Sequence, residues 1–255
     1  MRRYSFLIEY DGGPYKGWQR QDDMPSVQGA LEAALEKLGE PGRLVQGAGR
    51  TDAGVHALGQ VAHVDLERPW KPFRLMEALN AHLRQSGETV AIRDCDTCGD
   101  EFHARFSATG RRYVYRIISR RAPLTVERQR AWNVKVPLDV DAMDQAAKIL
   151  LGEHDFTTFR STECQAKSPI KTLDMARVSR VAAEIHCEFS ARSFLHKQVR
   201  SMVGSLVEVG WGKWTVQDMR DALEAQDRKL CGPVSPPDGL YLVSVAYPDL
   251  DQAGG

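Results

Sequence analysis

The chain has 255 residues, 42% of them hydrophobic, with 34 basic and 34 acidic side chains and a formal net charge of zero. That length buries a sizeable core, as one large domain or two of ordinary size, and a neutral chain of ordinary globular composition is not a histone-like nucleic-acid binder. No apolar run approaches the roughly 20 residues of a membrane span, and the opening MRRYSFLIEYDGG has too short an apolar run and too early an acid for a signal peptide, so the cytoplasm is the expected compartment.

Residues 4–10, YSFLIEY, form a β-rich apolar run ending at Asp11-Gly12-Gly13-Pro14, which predicts a strand and a turn. Ser26 caps a predicted helix whose apolar positions Val27, Ala30, Leu31, Ala34, Leu35 and Leu38 follow helical spacing, and Gly39 and Pro41 stop it. RLVQGAG (43–49) and GQVAHVDLE (59–67) read as strands, PFRLMEALNAHL (72–83) as a helix with Pro72 in its first turn, and ETVAIRDC (88–95) as a strand. The order is β-α-β-β-α-β. The second half repeats it, beginning with the alternating strand RRYVYRIIS (111–119) and a helix over 139–152 capped by Asp139 and ended by Gly152. Strands over 170–181 and 184–191, a long helix over 194–210, a second over 216–226 and a final strand over 239–247 complete the pass. Two such passes predict an α+β chain of two ferredoxin-like halves, residues 1–107 and 108–255, with mainly antiparallel sheet and helices on one side. The join lacks a Pro/Gly/Ser-rich linker, so the two sheets are expected to pack or pair.

Within QGAGRTDAGVHALGQ (46–60), Arg50, Thr51 and Asp52 stand in a row between Gly47, Gly49 and Gly54. Glycine serves where the backbone takes positive φ or approaches another group closely, so this charged trio is displayed rather than packed. From His103 to Arg130 there are eight arginines, Arg105, Arg111 and Arg112 among them, against one acid, Glu127, a distribution that reads either as a local phosphate-binding face on a neutral protein or as a solvated strand pair with its loop. Five cysteines without regular spacing predict reduced thiols, and the single CxxC pair, Cys95 and Cys98, lacks two further ligands for zinc and reads as loop thiols. His56 and His103 are expected to be structural. Trp18 is expected to wedge under the charged loop.

YDGGPYKGWQRQ (10–21), GRTDAGVHA (49–57), FHARFSATGRRYVYRI (102–117), LLGEHDFTTFR (150–160), SFLHKQVRSMVGSL (193–206) and GLYLVSVAYP (239–248) resemble, in order and spacing, the tRNA pseudouridine synthase A family. The likeness runs over essentially the whole chain. It implies uridine-to-pseudouridine conversion in the anticodon arm of tRNA, at positions 38, 39 or 40, without cofactor or metal. It also implies a two-domain fold with a joined sheet, and a homodimer. Carried onto this chain, it makes Asp52 the catalytic carboxylate and places Arg50 in the group that turns the target nucleotide out of its stack. By the same resemblance Tyr113 is the active-site aromatic and Arg200 the partner of the carboxylate. Lys197, Gln198 and Gly13 depart from the residues common at those places in the family, and none of them is one of these four positions.

The residue types suit that chemistry. A buried carboxylate needs a nearby guanidinium to stay ionised as nucleophile or base, and Arg200 lies in a helix of largely apolar positions where a charge wants a partner. Tyr113 offers a face for stacking and a hydroxyl for proton transfer, yet alternation sets Tyr113 and Tyr115 on one strand face and leaves open which of them is core. Arg50, Arg105, Arg111 and Arg112 are the candidate RNA contacts. A catalytically inactive RNA-binding module of the same fold has no reason to keep Asp52 beside phosphates, and a glycosidase-like hydrolase lacks a second well-placed acid.

Overall fold

A computed structural model describes residues 1–248. In chain order the regular elements are β1 (Arg2–Tyr10), α1 (Val27–Lys37), β2 (Gln46–Gly47), β3 (His56–Leu66), α2 (Pro72–Gln85), β4 (Val90–Cys98), β5 (Gly110–Ser119), β6 (Trp132–Val134), α3 (Val140–Lys148), β7 (Gly152–Asp155), β8 (Ile170–Val181), β9 (Glu184–Ala191), α4 (Gln198–Gly210), α5 (Val216–Glu224) and β10 (Leu240–Ala246). By its internal packing the chain divides into two units, one of residues 1–109 with the stretch from Tyr241 onward, the other Gly110–Leu240.

In the first unit the strand order is β4-β1-β3, with β1 antiparallel to both neighbours and the short β2 antiparallel to β3. Alternation along β1 turns Tyr4, Phe6, Ile8 and Tyr10 inward, each essentially buried. Helix α1 starts where Ser26 accepts a hydrogen bond from the Gly29 amide, and it buries Val27, Ala30, Leu31, Ala34 and Leu35. It ends at Leu38, after which Gly39 takes φ +78°. Helix α2 packs Leu75, Leu79 and Leu83 inward, against β4 and α1. The last strand, β10, belongs here from Tyr241 onward. It runs parallel to β3, with Tyr241 opposite His56 and Leu242 opposite Ala57. Thus the final strand of the second sequence pass is packed with the first unit.

The second unit has the strand order β5-β9-β8-β7, antiparallel throughout, and β6 adds to β5 in parallel. The Asp139 carboxylate caps α3 on the Ala142 amide at 2.9 Å. Helix α5 opens with a capping box between Thr215 and Asp218. In α4 every residue is buried except Arg200 and Glu208, which are half-buried.

Both units are mixed α+β with mainly antiparallel sheet and helices packed on it, as the two sequence passes predict. The differences are local. The helix expected over 194–210 begins only at Gln198, because Lys197 sits in the left-handed region at φ +60° and the Gln198 side chain turns back to accept from the Leu195 amide at 2.8 Å. The helix expected over 139–152 ends at Lys148, and Gly152, at φ +90°, opens the unforeseen strand β7. The strand expected over 43–49 shrinks to two residues, Gln46 and Gly47.

Candidate active site

The charged trio lies on the loop between β2 and β3. Its middle residue is the fixed one: Thr51 is 8% exposed, and its hydroxyl shares a hydrogen bond of 2.8 Å with the hydroxyl of Tyr10. Tyr10 is buried in the sheet, and burial pushes its phenol up to about 12, so it stays protonated while the bond to Thr51 pulls the other way. The Thr51 carbonyl also accepts from the Trp18 amide at 3.1 Å. On either side of this anchor Arg50 is exposed and Asp52 half-buried.

The loop's own backbone is braced on several sides. The Gln60 side-chain amide donates to the Gly49 carbonyl at 2.8 Å, the Val55 amide to the Asp52 carbonyl at 3.1 Å, and the Gly54 amide to the Tyr15 carbonyl at 3.3 Å. Trp18, 2% exposed, lies under the loop as expected: a Cβ on Gly47 would come within 2.6 Å of its indole. Gly54 takes φ +78°, which only glycine adopts without strain. A Cβ on Gly12 would meet the Val55 carbonyl at 2.0 Å, so the turn after β1 also rests against the loop. Tyr10, Gln60 and Gly12 are the supports that pattern reading missed. The run Asp11-Gly12-Gly13 was the available signal, since adjacent glycines outside a helix mark close approach.

His56 is 2% exposed, accepts from the Gly12 amide at 3.0 Å through Nδ1, and stacks on Tyr241 with ring centroids 4.7 Å apart. His103 accepts from the Arg105 amide at 3.1 Å and shapes the turn that carries the exposed Arg105 and Phe106. Both brace local backbone, the kind of contact expected of a structural histidine. Cys95 and Cys98 lie on β4, not in a loop, and residues three apart on a strand point to opposite faces. Burial pushes Cys95 up to about 12 and Cys98 up to about 11, which keeps both as thiols. Among the described residues no group of three His, Cys, Asp or Glu side chains is arranged to hold a metal ion, and no helix is long and apolar enough to cross a membrane.

In the second unit, β5 resolves the choice between the two tyrosines. Tyr115 is fully buried and donates its hydroxyl proton to the Pro236 carbonyl at 2.8 Å, whereas Tyr113 is half-buried. The Tyr113 ring is held edge-on by Phe194, with centroids 5.2 Å apart and planes at 89°. On the same strand Arg112 is exposed and ion-paired to Glu188, and Arg111 donates to the Arg192 carbonyl. Arg116 lies between Glu127, at 2.7 Å, and Glu184, at 2.6 Å. Arg116 and then His186 hold the Glu184 carboxyl down at about 2 against the opposing effect of burial. Arg120, Arg121, Arg128 and Arg130 are exposed. On α4 the half-buried Arg200 donates from Nε to the Ser235 carbonyl at 2.8 Å.

Two mixed α+β units of mainly antiparallel sheet, one of them carrying an aspartate and an arginine on a braced loop, define the class of fold. The model of the family described as tRNA pseudouridine synthase matches residues 7–107 and 146–248. A tRNA pseudouridine synthase A of Jannaschia sp. (strain CCS1) is 59% identical, with 100% of this chain and 98% of that protein covered. Those of Caulobacter sp. (strain K31) and Rhizobium meliloti (strain 1021) are each 58% identical over 97% of this chain, covering 98% and 100% of their own lengths. The chain belongs to the tRNA pseudouridine synthase family, and it is an isomerase.

Proposed function

We propose that this isomerase converts uridine to pseudouridine in the anticodon arm of tRNA, at positions 38, 39 or 40, with Asp52 as its catalytic carboxylate. The reaction breaks the N1–C1′ bond, turns the freed uracil and rejoins it through C5, which gives up its proton. The reacting base sits in a stack and must be extruded, at a cost of a few kcal/mol. Arg50, exposed beside the anchored Thr51, takes the vacated space and contacts phosphate through its planar fork. Asp52 acts ionised, as nucleophile or base, and the Arg200 guanidinium is its partner through a two-pronged pair. Tyr113, its ring fixed edge-on by Phe194, stacks on the uracil and its hydroxyl serves proton transfer at C5. Arg105, Arg111 and Arg112 contact the RNA backbone. No cofactor or metal takes part, and the enzyme works as a homodimer in the cytoplasm, where its tRNA is.

The observation that carries this reading is the loop itself. Thr51 is buried and bonded to Tyr10, which fixes the backbone between the exposed Arg50 and the half-buried Asp52 and so supplies positioned charge for catalysis. Family membership supports the substrate. Carbodiimide sequencing of tRNA from strains with and without the gene tests it: stops at one or more of positions 38–40 should disappear with the gene. Stops that persist unchanged at all three positions would overturn the assignment. Light scattering should give twice the 28.5 kDa of the chain, and a mass of one chain would contradict the homodimer.

A further inference from the structure

The segment from Cys231 to Gly239 makes a set of contacts with α4 and β5 that the reaction outlined above does not use. The Ser235 carbonyl accepts from Arg200 Nε at 2.8 Å, and the Ser235 amide donates to the Arg200 carbonyl at 3.1 Å. One residue of the segment therefore grips both the side chain and the backbone of Arg200. The next carbonyl, that of Pro236, accepts from the Tyr115 hydroxyl at 2.8 Å.

Three glycines bring the segment this close. A Cβ on Gly204 of α4 would lie 1.6 Å from the Pro233 carbonyl oxygen, and one on Gly232 would lie 2.8 Å from the Ser205 Cα. A Cβ on Gly239 would lie 2.7 Å from the Tyr115 ring. The Gly232 amide also donates to the Ser205 hydroxyl at 3.0 Å. Pro233, Pro236 and Pro237 stiffen the segment through their fixed φ. Tyr115 and Ser235 are fully buried, and burial pushes the Tyr115 phenol well above its ordinary range, so it remains a donor to Pro236.

We infer that the segment 231–239, anchored by Tyr115, is the positioning device for Arg200, fixing the plane of its guanidinium by occupying Nε. A guanidinium has one Nε–H and two terminal nitrogens. With Nε held by a rigid carbonyl, the edge carrying both terminal nitrogens points in a set direction and loses little freedom when it meets an oxyanion. Tyr115 touches no reacting atom and acts through Pro236 and Ser235. The inference rests on the reading of Arg200 as the partner of the catalytic carboxylate, and the test separates the two.

Tyr115→Phe removes the hydroxyl and keeps the ring against Gly239. Single-turnover pseudouridine formation should slow by about tenfold with tRNA affinity unchanged, the pattern of lost transition-state positioning. In an Arg200→Met background the same substitution should cost nothing further, because the guanidinium it positions is already gone. Gly204→Ala, which pushes the segment off α4, should behave alike. Nitrogen-15 spectra of the arginine Nε–H groups give a readout independent of activity: the Arg200 signal should exchange slowly in the wild type and measurably faster in Tyr115→Phe. An unchanged Arg200 exchange rate, or equal slowing of the reaction by Tyr115→Phe in both backgrounds, would overturn the positioning role. A wild-type rate in Arg200→Met alone, with faster Nε–H exchange still seen in Tyr115→Phe, would leave the clasp standing and remove Arg200 from the chemistry.

Discussion

Thr51 holds the charged loop through one hydroxyl and one carbonyl, so its loss should be felt in catalysis more than in folding. Thr51→Val keeps the shape and removes one hydrogen bond of the buried Tyr10 hydroxyl, at a stability cost of about 1 kcal/mol. Turnover should fall further than that small loss accounts for, as parallel melting and rate measurements would show. Arg200→Lys should restore only a small part of the activity lost in Arg200→Met, because one ammonium cannot both meet the Ser235 carbonyl and form a two-pronged pair. A Lys variant with wild-type turnover would contradict the pairing. His63 supplies a pH test. Burial first, then the charges of His103 and Arg3, push it down to about 4 from the 6.5 of an unfolded histidine. The unfolded chain therefore takes up a proton first, so stability is complete above about 6.5 and declines as pH falls toward 4. Urea unfolding at pH 7 and pH 5 should show this decline, and His63→Gln, which keeps an acceptor for the Ala104 amide, should lessen it. Equal declines in both proteins would exclude His63 as a source. The loop of Asp52 and Arg50 stood out in the sequence because glycines surround it. Tyr115 was not, because strand alternation gives it the same parity as Tyr113, and only the depth of the surrounding core separates the two.

Elements were legible where their signals are local. Ser26 and Asp139 cap α1 and α3 as their side chains predict, and β8 and β9 run over the residues that alternation picks out. The start of α4 was hidden because apolar spacing continues through Phe194 and Leu195 while the backbone turns at Lys197, and a lysine at φ +60° leaves no mark in a periodicity. The three glycines that flank Arg50, Thr51 and Asp52, alike in sequence, are unlike in structure. Gly54→Ala should cost about 1–2 kcal/mol for its left-handed φ. Gly47→Ala should cost about 1–3 kcal/mol by forcing the Trp18 indole aside. Gly49 has open space around its Cβ position and an ordinary φ, so Gly49→Ala should change stability by less than about 0.5 kcal/mol. Thermal melts of the three variants check the order, and a Gly49 variant as damaged as the other two would contradict it. The arginine-rich stretch from Arg105 to Arg130 is likewise divided. Arg116 is held by two carboxylates, whereas Arg121 and Arg128 are exposed. If the exposed arginines meet phosphate, the double alanine variant of Arg121 and Arg128 should flatten the log–log dependence of tRNA affinity on salt by about one for each phosphate left unneutralised. An unchanged slope would show them merely solvated.

At the scale of the whole chain, the β-α-β-β-α-β order of the first unit was readable because each element carries its own period, whereas the second unit adds β6 and β7, strands of three and four residues that are too short to show one. The membership of the last strand was not, since β pairing over nearly two hundred residues of separation has no local signature. That strand packs with the first unit through interactions that can be tested. The Tyr247 hydroxyl donates to the Ala104 carbonyl at 2.6 Å, Tyr241 stacks on His56, and Gly59 lies where a Cβ would come within 2.4 Å of the Val243 carbonyl. A chain ending after Leu240 should lose amide protection at the start of β3, around His56 and Ala57, in hydrogen exchange, and full protection there would show the strand to be dispensable. The roles of Asp52, Arg50, Tyr113 and Arg200 came from motif resemblance rather than from periodicity, since a catalytic charge and a solvated one look alike in composition. The measurement that bears most directly on the proposed function is tritium release from tRNA labelled at uridine C5, with the wild type compared against Asp52→Asn. The wild type should release tritium, and the Asn variant, nearly the same size and without the charge, should fold and bind tRNA yet release none above background. Appreciable release by the Asn variant would contradict the assignment of Asp52 as the catalytic carboxylate.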